Sequence, residues 1–227
     1  MDITLHSNRV SPRISHTTHN ATPPLILLHG NGEDASFFSH QMNALNTTRE
    51  VIALDTRGHG KSPRGCAPFT LAQFSEDVLA FMDDNEIDRA DILGFSDGGN
   101  IALILALTHP ERVGKLILNG ANLDPSGLKL SVRASILLHF YLTKDPAEKE
   151  LLALMVNEPH IPLSALKTLS AHTLVVAGTD DMIKRTHTEA IAQALPHATL
   201  AFIEGDHFIA AKNPDAFNRC VLSFLED

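Results

Sequence analysis

A serine with a glycine two positions away on either side stands at the centre of residues 94–98, whose sequence is Gly-Phe-Ser-Asp-Gly. An apolar run precedes this segment and helical periodicity follows it, so Ser96 is expected on a tight turn from a strand into a helix. Such a turn strains the serine backbone and needs small neighbours, here Gly94 and Gly98. It also aims the first amides of the helix at a reacting carbonyl. The pattern occurs by chance in loops and helix caps, but this context predicts a nucleophile.

A serine hydroxyl needs a base to accept its proton at neutral pH, and the imidazole of histidine suits that task. The chain contains 13 histidines. His207 follows the last predicted strand, where a parallel sheet delivers its loops to the same edge as Ser96. His29 and His59 lie at that edge too, but turns of their kind more often use the imidazole to brace a loop. We therefore predict His207 as the base.

The base needs a carboxylate that fixes its tautomer and stabilises its charged form. The expected order along the chain is serine, acid, histidine. Asp180 and Asp181 both meet this order, because they follow the strand predicted at 173–177. Either carboxylate could instead form the turn or cap a helix. Spacing alone does not choose between the two.

The strands and helices that position these residues can be predicted from the sequence, in which short apolar runs alternate with segments of helical periodicity. The alternation predicts an α/β fold, with a mostly parallel sheet and helices on both faces. Strands, each apolar enough to be buried on two faces, are predicted at 25–28, 51–54, 90–95, 115–118, 173–177 and 199–203. Helices are predicted at 36–45, 71–85, 98–108, 186–194 and 214–225.

Residues 124–170 interrupt this alternation. They contain two predicted helices, at 131–142 and 147–156, before the sheet resumes. This is the pattern of an inserted lid. No linker divides the chain, so residues 1–227 are expected to form one domain, to which residues 2–18 could add a hairpin.

Composition narrows the classes of partner. Hydrophobic residues make up 44% and charged residues 20%, which is typical of a soluble globular protein and not of a membrane protein. The net charge of −9 disfavours nucleic acid and favours a neutral or cationic small-molecule substrate. The cysteines, Cys66 and Cys220, and the histidines lack metal-ligand spacing, so we expect no metal and no other cofactor. The start of the chain lacks the features of a secretory signal, which indicates a cytoplasmic location.

Five motifs together resemble the α/β-hydrolase superfamily, particularly its small single-domain serine esterase-like members. The motifs span most of the chain, at residues 28–32, 55–62, 94–99, 178–181 and 205–207. The resemblance implies the α/β-hydrolase fold, in which a mostly parallel central sheet has helices on both faces and a short helical lid.

The resemblance also implies individual roles. Residues 178–181 resemble the acid turn of the family, which favours Asp181 over Asp180. In the family, the residue after His-Gly and the residue after the nucleophile donate backbone N–H groups to the oxyanion, and here these are Asn31 and Asp97. Position 97 is an aspartate in this sequence, whereas many relatives carry a hydrophobic or amide residue at the corresponding position. Its carboxylate is expected to turn towards a nearby hydroxyl or amide, leaving only its N–H in the site.

The expected activity is hydrolysis of a small carboxylic ester through an acyl-enzyme, with Ser96 as nucleophile, His207 as base and Asp181 orienting the imidazole. A serine nucleophile argues against haloalkane dehalogenase and epoxide hydrolase chemistry, because similar proteins with those activities use an aspartate there. Carbon–carbon bond hydrolysis and thioester cleavage are alternatives on the same residues, and a ligand-binding protein without turnover is another. The protein is expected to be a monomer or a homodimer.

Overall fold

A seven-stranded sheet forms the centre of the protein in a computed structural model that describes residues 2–11, 22–47 and 49–227. The six strands predicted from the sequence are confirmed as β2 to β7, with ends that differ by two residues at most. The strands are β1 (Ser7–Val10), β2 (Leu25–Leu28), β3 (Val51–Leu54), β4 (Ala90–Phe95), β5 (Val113–Asn119), β6 (Thr173–Gly178) and β7 (Ala198–Ile203).

The order of the strands across the sheet is β1-β3-β2-β4-β5-β6-β7. Strands β2 to β7 pair in parallel, whereas β1 pairs antiparallel with β3 at the edge of the sheet. Parallel strands bring their carboxyl ends to one edge. The loops after β2, β4, β6 and β7 therefore meet there, and these loops carry the residues singled out from the sequence.

Helices cover both faces of the sheet. The helices predicted at 71–85, 98–108, 186–194 and 214–225 are confirmed as α2, α3, α7 and α9, whereas that predicted at 36–45 is a 3-10 turn (Ala35–Phe38) followed by the short α1. No helix within the described ranges has the length and apolar character needed to cross a bilayer. The described helices are α1 (Ser39–Ala44), α2 (Leu71–Asp84), α3 (Asp97–Thr108), α4 (Leu130–Leu142), α5 (Pro146–Asn157), α6 (Leu163–Leu166), α7 (Arg185–Ala194), α8 (Ile209–Lys212) and α9 (Pro214–Glu226).

The core has two parts, one on each face of the sheet. Successive side chains of a strand point to opposite faces. In β4, Ile92 packs with residues of α2 and α3, while Leu93 packs with residues of α1 and α9. Both faces are buried, which explains why the central strands are continuously apolar instead of alternating.

Between β5 and β6 the chain forms α4, α5 and α6, and residues 124–170 are called the insert from here on. Helices α4 and α5 are those predicted at 131–142 and 147–156. Helix α4 has no buried residue, and α5 buries only Leu154. Little apolar burial therefore holds these two helices against the rest of the protein.

The hairpin predicted within residues 2–18 is described only in its first part. Strand β1 runs beside β3, with Ser7 opposite Leu54 and Val10 opposite Val51. A return strand would fall at about residues 12–18, which lie outside the described residues.

A buried ion pair fixes the loop that follows β3. Arg57 is fully buried, and its Nε and Nη2 atoms donate to the carboxylate of Asp77 in α2 at 2.7 and 2.6 Å. Asp2 also accepts from Arg57 Nη2, at 2.8 Å. The N-terminal segment, the β3 loop and α2 are therefore held by one guanidinium group.

Replacing Arg57 with alanine is expected to lower the free energy of unfolding by about 3–5 kcal/mol, because the buried Asp77 carboxylate loses its partner. Urea unfolding at pH 7 measures this change. Arg185→Ala is the matched control: it removes an exposed pair with Glu189 and should cost less than about 1 kcal/mol. Equal losses in the two variants would show that the buried pair does not hold these elements together.

Candidate active site

Ser96 is the single residue between the end of β4 and the start of α3. Its backbone angles are φ 52° and ψ −118°, a conformation that non-glycine residues rarely adopt. Strain of this kind persists only where the surrounding structure enforces it. The turn predicted from the sequence is therefore present, and it presents the Ser96 side chain at the carboxyl edge of the sheet.

Two glycines make this turn possible. A Cβ atom on Gly94 would overlap the backbone of Gly98, and a Cβ atom on Gly98 would overlap the Leu28 carbonyl at the end of β2. Backbone atoms cannot move aside as a flexible side chain can. The strained turn is thus locked between α3 and the neighbouring strand.

His207 and Asp181 form a buried pair beside this turn. The Nδ1 atom of His207 lies 2.7 Å from Asp181 Oδ1, in an orientation for Nδ1–H to donate to the carboxylate. Asp181 also accepts from the backbone N–H of Ile183 at 2.9 Å and of Gly178 at 3.3 Å. With the proton on Nδ1, the Nε2 atom of His207 is left as an acceptor, which is the form of imidazole that can remove a proton.

The two neighbouring aspartates after β6 differ in their surroundings. Asp181 is 4% exposed and contacts His207. Asp180 is exposed and pairs with Lys129 of the insert at 2.6 Å. The structure therefore brings together the histidine and the aspartate that the family resemblance favours, and it directs Asp180 away from them.

His29 and His59 brace loops, as the turns around them predict. The Nε2 atom of His29 accepts from the Thr56 backbone N–H at 3.0 Å, and that of His59 accepts from the Gly32 N–H at 3.2 Å. Burial lowers the pKa of His29 to about 4 and also lowers that of His59. Both rings are therefore neutral near pH 7, and each has its Nε2 atom occupied by the backbone.

Phe95, the residue that precedes Ser96, contacts His207. The rings of Phe95 and His207 lie with their centroids 4.8 Å apart. Within the described ranges, the hydrogen bonds of the Asp181–His207 pair do not extend to the Ser96 hydroxyl. Hydrogen bonds of this kind often tighten only when substrate binds.

The loop after β2 lies against the first turn of α3. Asn31 Nδ2 donates to Asp97 Oδ2 at 2.9 Å and to the Leu151 carbonyl of α5 at 3.0 Å. The expectation that the Asp97 carboxylate turns to a nearby amide is thus met. No hydrogen bond between described residues uses the backbone N–H of Asn31 or of Asp97, so both amides are free to bind an oxyanion.

The Asp97 carboxyl has an unusual electrostatic environment for the first turn of a helix. Burial is the main reason that its pKa lies above the ordinary value, and nearby Glu158 raises the pKa further. The hydrogen bond from Asn31 opposes this shift. A carboxyl that resists ionisation places less negative charge beside a developing oxyanion.

These observations agree with a comparison with known protein families. The sequence profile described as the alpha/beta hydrolase fold matches residues 23–150, which is more than half of the chain. The chain belongs to the α/β-hydrolase family. The family resemblance and the fold class predicted from the sequence are therefore confirmed, and the protein is an enzyme with a hydrolytic function.

Relatives of this α/β-hydrolase include RutD of Caulobacter sp. strain K31, whose name describes a carbamate hydrolase. The two sequences are 30% identical over 88% of this chain and 90% of RutD. A hydrolase from Pseudomonas aeruginosa PA01 has a similar structure, with a TM-score of 0.77 and 25% identity over 99% of this chain and 95% of that one. An enol-lactonase from Burkholderia xenovorans LB400 has a TM-score of 0.80 at 24% identity, covering 98% and 96%, and this likeness concerns the fold alone.

A small cavity of the α/β-hydrolase opens onto Ser96. The space in it that can hold the centre of a water molecule is about 10 Å³, enough for roughly one water. An organic substrate therefore needs this cavity to widen. Its walls come from the start of α3, the loop after β5, the insert and the loop after β6. They consist of Ser96, Asp97, Asn122, Leu128, Met155, Glu158, Met182 and Ile183.

A wider cleft, of about 640 Å³, lies at the opposite edge of the sheet and includes Arg49, Asp91 and Lys115. Its size does not make it the active site, because it is remote from Ser96 and lies at the amino ends of the strands. Ligands of open α/β sheets bind at the carboxyl ends. The smaller cavity is therefore the candidate site.

Among the described residues, no group of three histidine, cysteine, aspartate or glutamate side chains is arranged to hold a metal ion.

Glu33, which directly follows the 28–32 motif, is a residue of the site that the sequence analysis did not identify. Its carboxylate accepts from the Gly30 N–H at 3.1 Å. Burial raises the pKa of Glu33 to about 7, with the hydrogen bond from Gly30 and the nearby His207 opposing the shift. A glutamate beside a glycine-rich loop gives no sequence signal for such an environment.

The raised pKa of Glu33 predicts a specific dependence of stability on pH. Between the ordinary value of 4.5 and about 7, the folded protein keeps a proton that the unfolded chain has released. Stability from this group is therefore lost as the pH rises through that window. Glu33→Gln keeps an acceptor for Gly30 and cannot ionise, so its stability relative to wild type should increase from pH 5 to pH 8, as measured by urea unfolding.

Asp34→Asn is the matched control, since it removes the neighbouring carboxylate. The pKa of Asp34 is lowered, chiefly by its hydrogen bonds with Ser36, so the stability from its ionised form is lost only as the pH falls below its ordinary value. The difference between Asp34→Asn and wild type should change little from pH 5 to pH 8, because Asp34 is the smallest of the influences that raise or lower the pKa of Glu33. A constant difference for Glu33→Gln as well would contradict the assignment.

Proposed function

We propose that the protein hydrolyses small carboxylic esters through an acyl-enzyme, with Ser96 as nucleophile, His207 as base and Asp181 orienting the imidazole. One observation carries the proposal: the strained turn presents Ser96 at the sheet edge where Asp181 holds His207 with Nε2 as the acceptor. A nucleophile, a base and an orienting carboxylate are the parts that this chemistry requires.

In the first half of the reaction, Ser96 Oγ bonds to the ester carbonyl carbon while His207 Nε2 takes the hydroxyl proton. The tetrahedral intermediate collapses as the imidazolium returns that proton to the leaving alcohol. Water then attacks the acyl-enzyme, His207 again takes and returns a proton, and the acid leaves with Ser96 regenerated. Asp181 stays ionised throughout and stabilises the imidazolium.

The carbonyl oxygen becomes negatively charged in both halves of the reaction. The backbone N–H groups of Asn31 and Asp97 are the proposed donors to it. Helix α3 begins at Asp97, so the positive end of its dipole lies at the same place. Donors fixed before the reaction stabilise the charge without the cost of reorganisation.

The narrow cavity over Ser96, which must widen to admit any substrate, favours a small one. Its apolar lining residues are Leu128, Met155, Met182 and Ile183. Each methylene buried there contributes about 0.8 kcal/mol until the chain outgrows the space. A carbamate is the second candidate substrate, because RutD is 30% identical over most of both chains. Its carbonyl would be attacked in the same way.

The first test removes the nucleophile or the base. The substrates are p-nitrophenyl esters with acyl groups of about two to six carbons. On these esters, Ser96→Ala and His207→Ala should each reduce kcat by roughly three to six orders of magnitude. The double variant should be little worse, since both residues serve one proton transfer. Ser131→Ala, an exposed serine of α4, is the control. Thermal melting checks that each variant folds.

Covalent labelling locates the nucleophile independently. A fluorophosphonate probe should label wild type once, at Ser96, and should leave Ser96→Ala unlabelled when intact mass is measured. Turnover within tenfold of wild type in either single variant, or labelling at another serine, would refute the assignment.

The second test concerns the acid. Asp181→Asn should lose about four orders of magnitude in kcat, because an amide cannot support the imidazolium or hold the reactive tautomer. Asp180→Asn makes the same chemical change one residue away, at an exposed carboxylate paired with Lys129, and should stay within about threefold of wild type. The reverse order of the two activities would mean that a different carboxylate serves His207.

A further inference from the structure

The cavity over Ser96 carries an uneven distribution of charge. Among its described lining residues, Leu128, Met155, Met182 and Ile183 are uncharged and apolar, whereas Asp97 and Glu158 are acids. No lysine or arginine lines the cavity within the described ranges. A substrate in this cavity therefore meets acidic groups without a neighbouring cation.

Glu158 is the acid that is free to contact a substrate. It follows α5, and its Oε2 atom accepts from the Leu71 N–H at the start of α2, at 2.8 Å. This bond holds the side chain in one place. The other carboxylate oxygen accepts no hydrogen bond from a described residue, so it retains its capacity for a donor on the substrate.

The Asp97 carboxyl already forms hydrogen bonds with neighbouring side chains. It is 9% exposed, and the side-chain amide of Asn31 donates to its Oδ2 atom. Asn100 contributes a further side-chain hydrogen bond. Because burial raises the pKa of this carboxyl, Asp97 adds less negative charge to the wall, and it offers fewer free lone pairs than Glu158 does.

Two cations that contact the insert or belong to it, Arg64 and Lys129, are already paired with acids. Arg64 forms an ion pair with Glu150 on α5, and Lys129 pairs with Asp180. Neither cation lines the cavity. The net charge of −9 adds a long-range field of the same sign, which favours the approach of cations.

We infer that Glu158 selects substrates that carry a positively charged nitrogen, such as a quaternary ammonium or another alkylammonium group, a few atoms from the scissile carbonyl. The apolar lining residues accommodate the rest of the substrate. Substrates that carry a carboxylate, including ketonic acids, are disfavoured because their charge would be buried next to an acid with no cation to pair with it. This inference rests on the proposed serine hydrolase function.

The test compares esters of the same shape and different charge. Acetate esters of choline, of 3,3-dimethylbutanol and of 3-hydroxypropanoate place a cation, a neutral isostere and an anion at similar distances from the carbonyl. A second set carries the charge in the acyl group, as p-nitrophenyl esters of 4-(trimethylammonio)butanoic acid, 5,5-dimethylhexanoic acid and glutaric acid. Each kcat/KM is divided by the rate constant for uncatalysed hydrolysis.

In at least one set, wild type should prefer the cation over its neutral isostere by about tenfold or more, and the neutral ester over the anion by a similar factor. Glu158→Gln keeps an acceptor for Leu71 and removes the charge, so it should reduce the cation preference by about tenfold. Glu150→Gln makes the same change on the outside of α5 and should leave the preference unchanged. Thermal melting confirms the fold of both variants.

The outcomes separate the two proposals. If the neutral esters are hydrolysed and Ser96 is labelled, but wild type shows no cation preference in either set or Glu158→Gln retains it, the inference about Glu158 is wrong and the proposed function stands. If no ester is hydrolysed and the fluorophosphonate leaves Ser96 unlabelled, the proposed function is wrong and the inference falls with it.

Discussion

The start of α3 lies so close to the end of β2 that no side chain fits between them. A Cβ atom on Gly98 would overlap the Leu28 carbonyl oxygen, and one on Gly94 would overlap the backbone of Gly98. This close approach enforces the positive φ of Ser96, because the chain has no room to relax. It also brings the loop after β2 within hydrogen-bond reach of the first turn of α3. The proposed nucleophile and both proposed oxyanion donors therefore depend on one steric constraint.

A second arrangement builds on the first. Parallel strands deliver the loops after β6 and β7 to the edge that carries Ser96, and two backbone N–H groups, of Gly178 and Ile183, hold the Asp181 carboxylate in place. The carboxylate in turn sets the tautomer of His207. The proton-accepting atom of the histidine is thus positioned by main-chain geometry, which is rigid, and not by exposed side chains.

Much of this architecture could be predicted from the sequence because it depends on local patterns. The continuous apolar runs of β2 to β6 reflect burial on both faces, and the glycines around Ser96 reflect the close approach of backbone segments. The prediction of two-face burial is wrong for β7, which lies at the edge of the sheet and exposes its first three residues. His207 could be ranked above His29 and His59 from its position after the last strand. Spacing left Asp180 and Asp181 equivalent, because adjacent residues differ only in which way each side chain points.

Other features depend on long-range contacts that leave no pattern in the sequence. Glu33 gains its environment from burial beside a loop glycine, and Glu158 faces the cavity only because the insert packs over Ser96. The same limit applies to the short α1, where a helix predicted at 36–45 begins as a 3-10 turn. Periodicity reports that a face is buried, but it does not report the geometry of the first turn.

The side chain of Asn31 joins the first turn of α3 to helix α5 of the insert. It donates both to Asp97 in the first turn of α3 and to the Leu151 carbonyl of α5, which is weakly held. If α5 swings aside to admit a substrate, the bond to Leu151 breaks, and the loop that carries the Asn31 N–H loses one of its supports. When α5 returns, the same bond re-forms. In the proposed mechanism, Asn31 would therefore couple the closure of α5, which excludes bulk water, to the alignment of its own N–H group as an oxyanion donor.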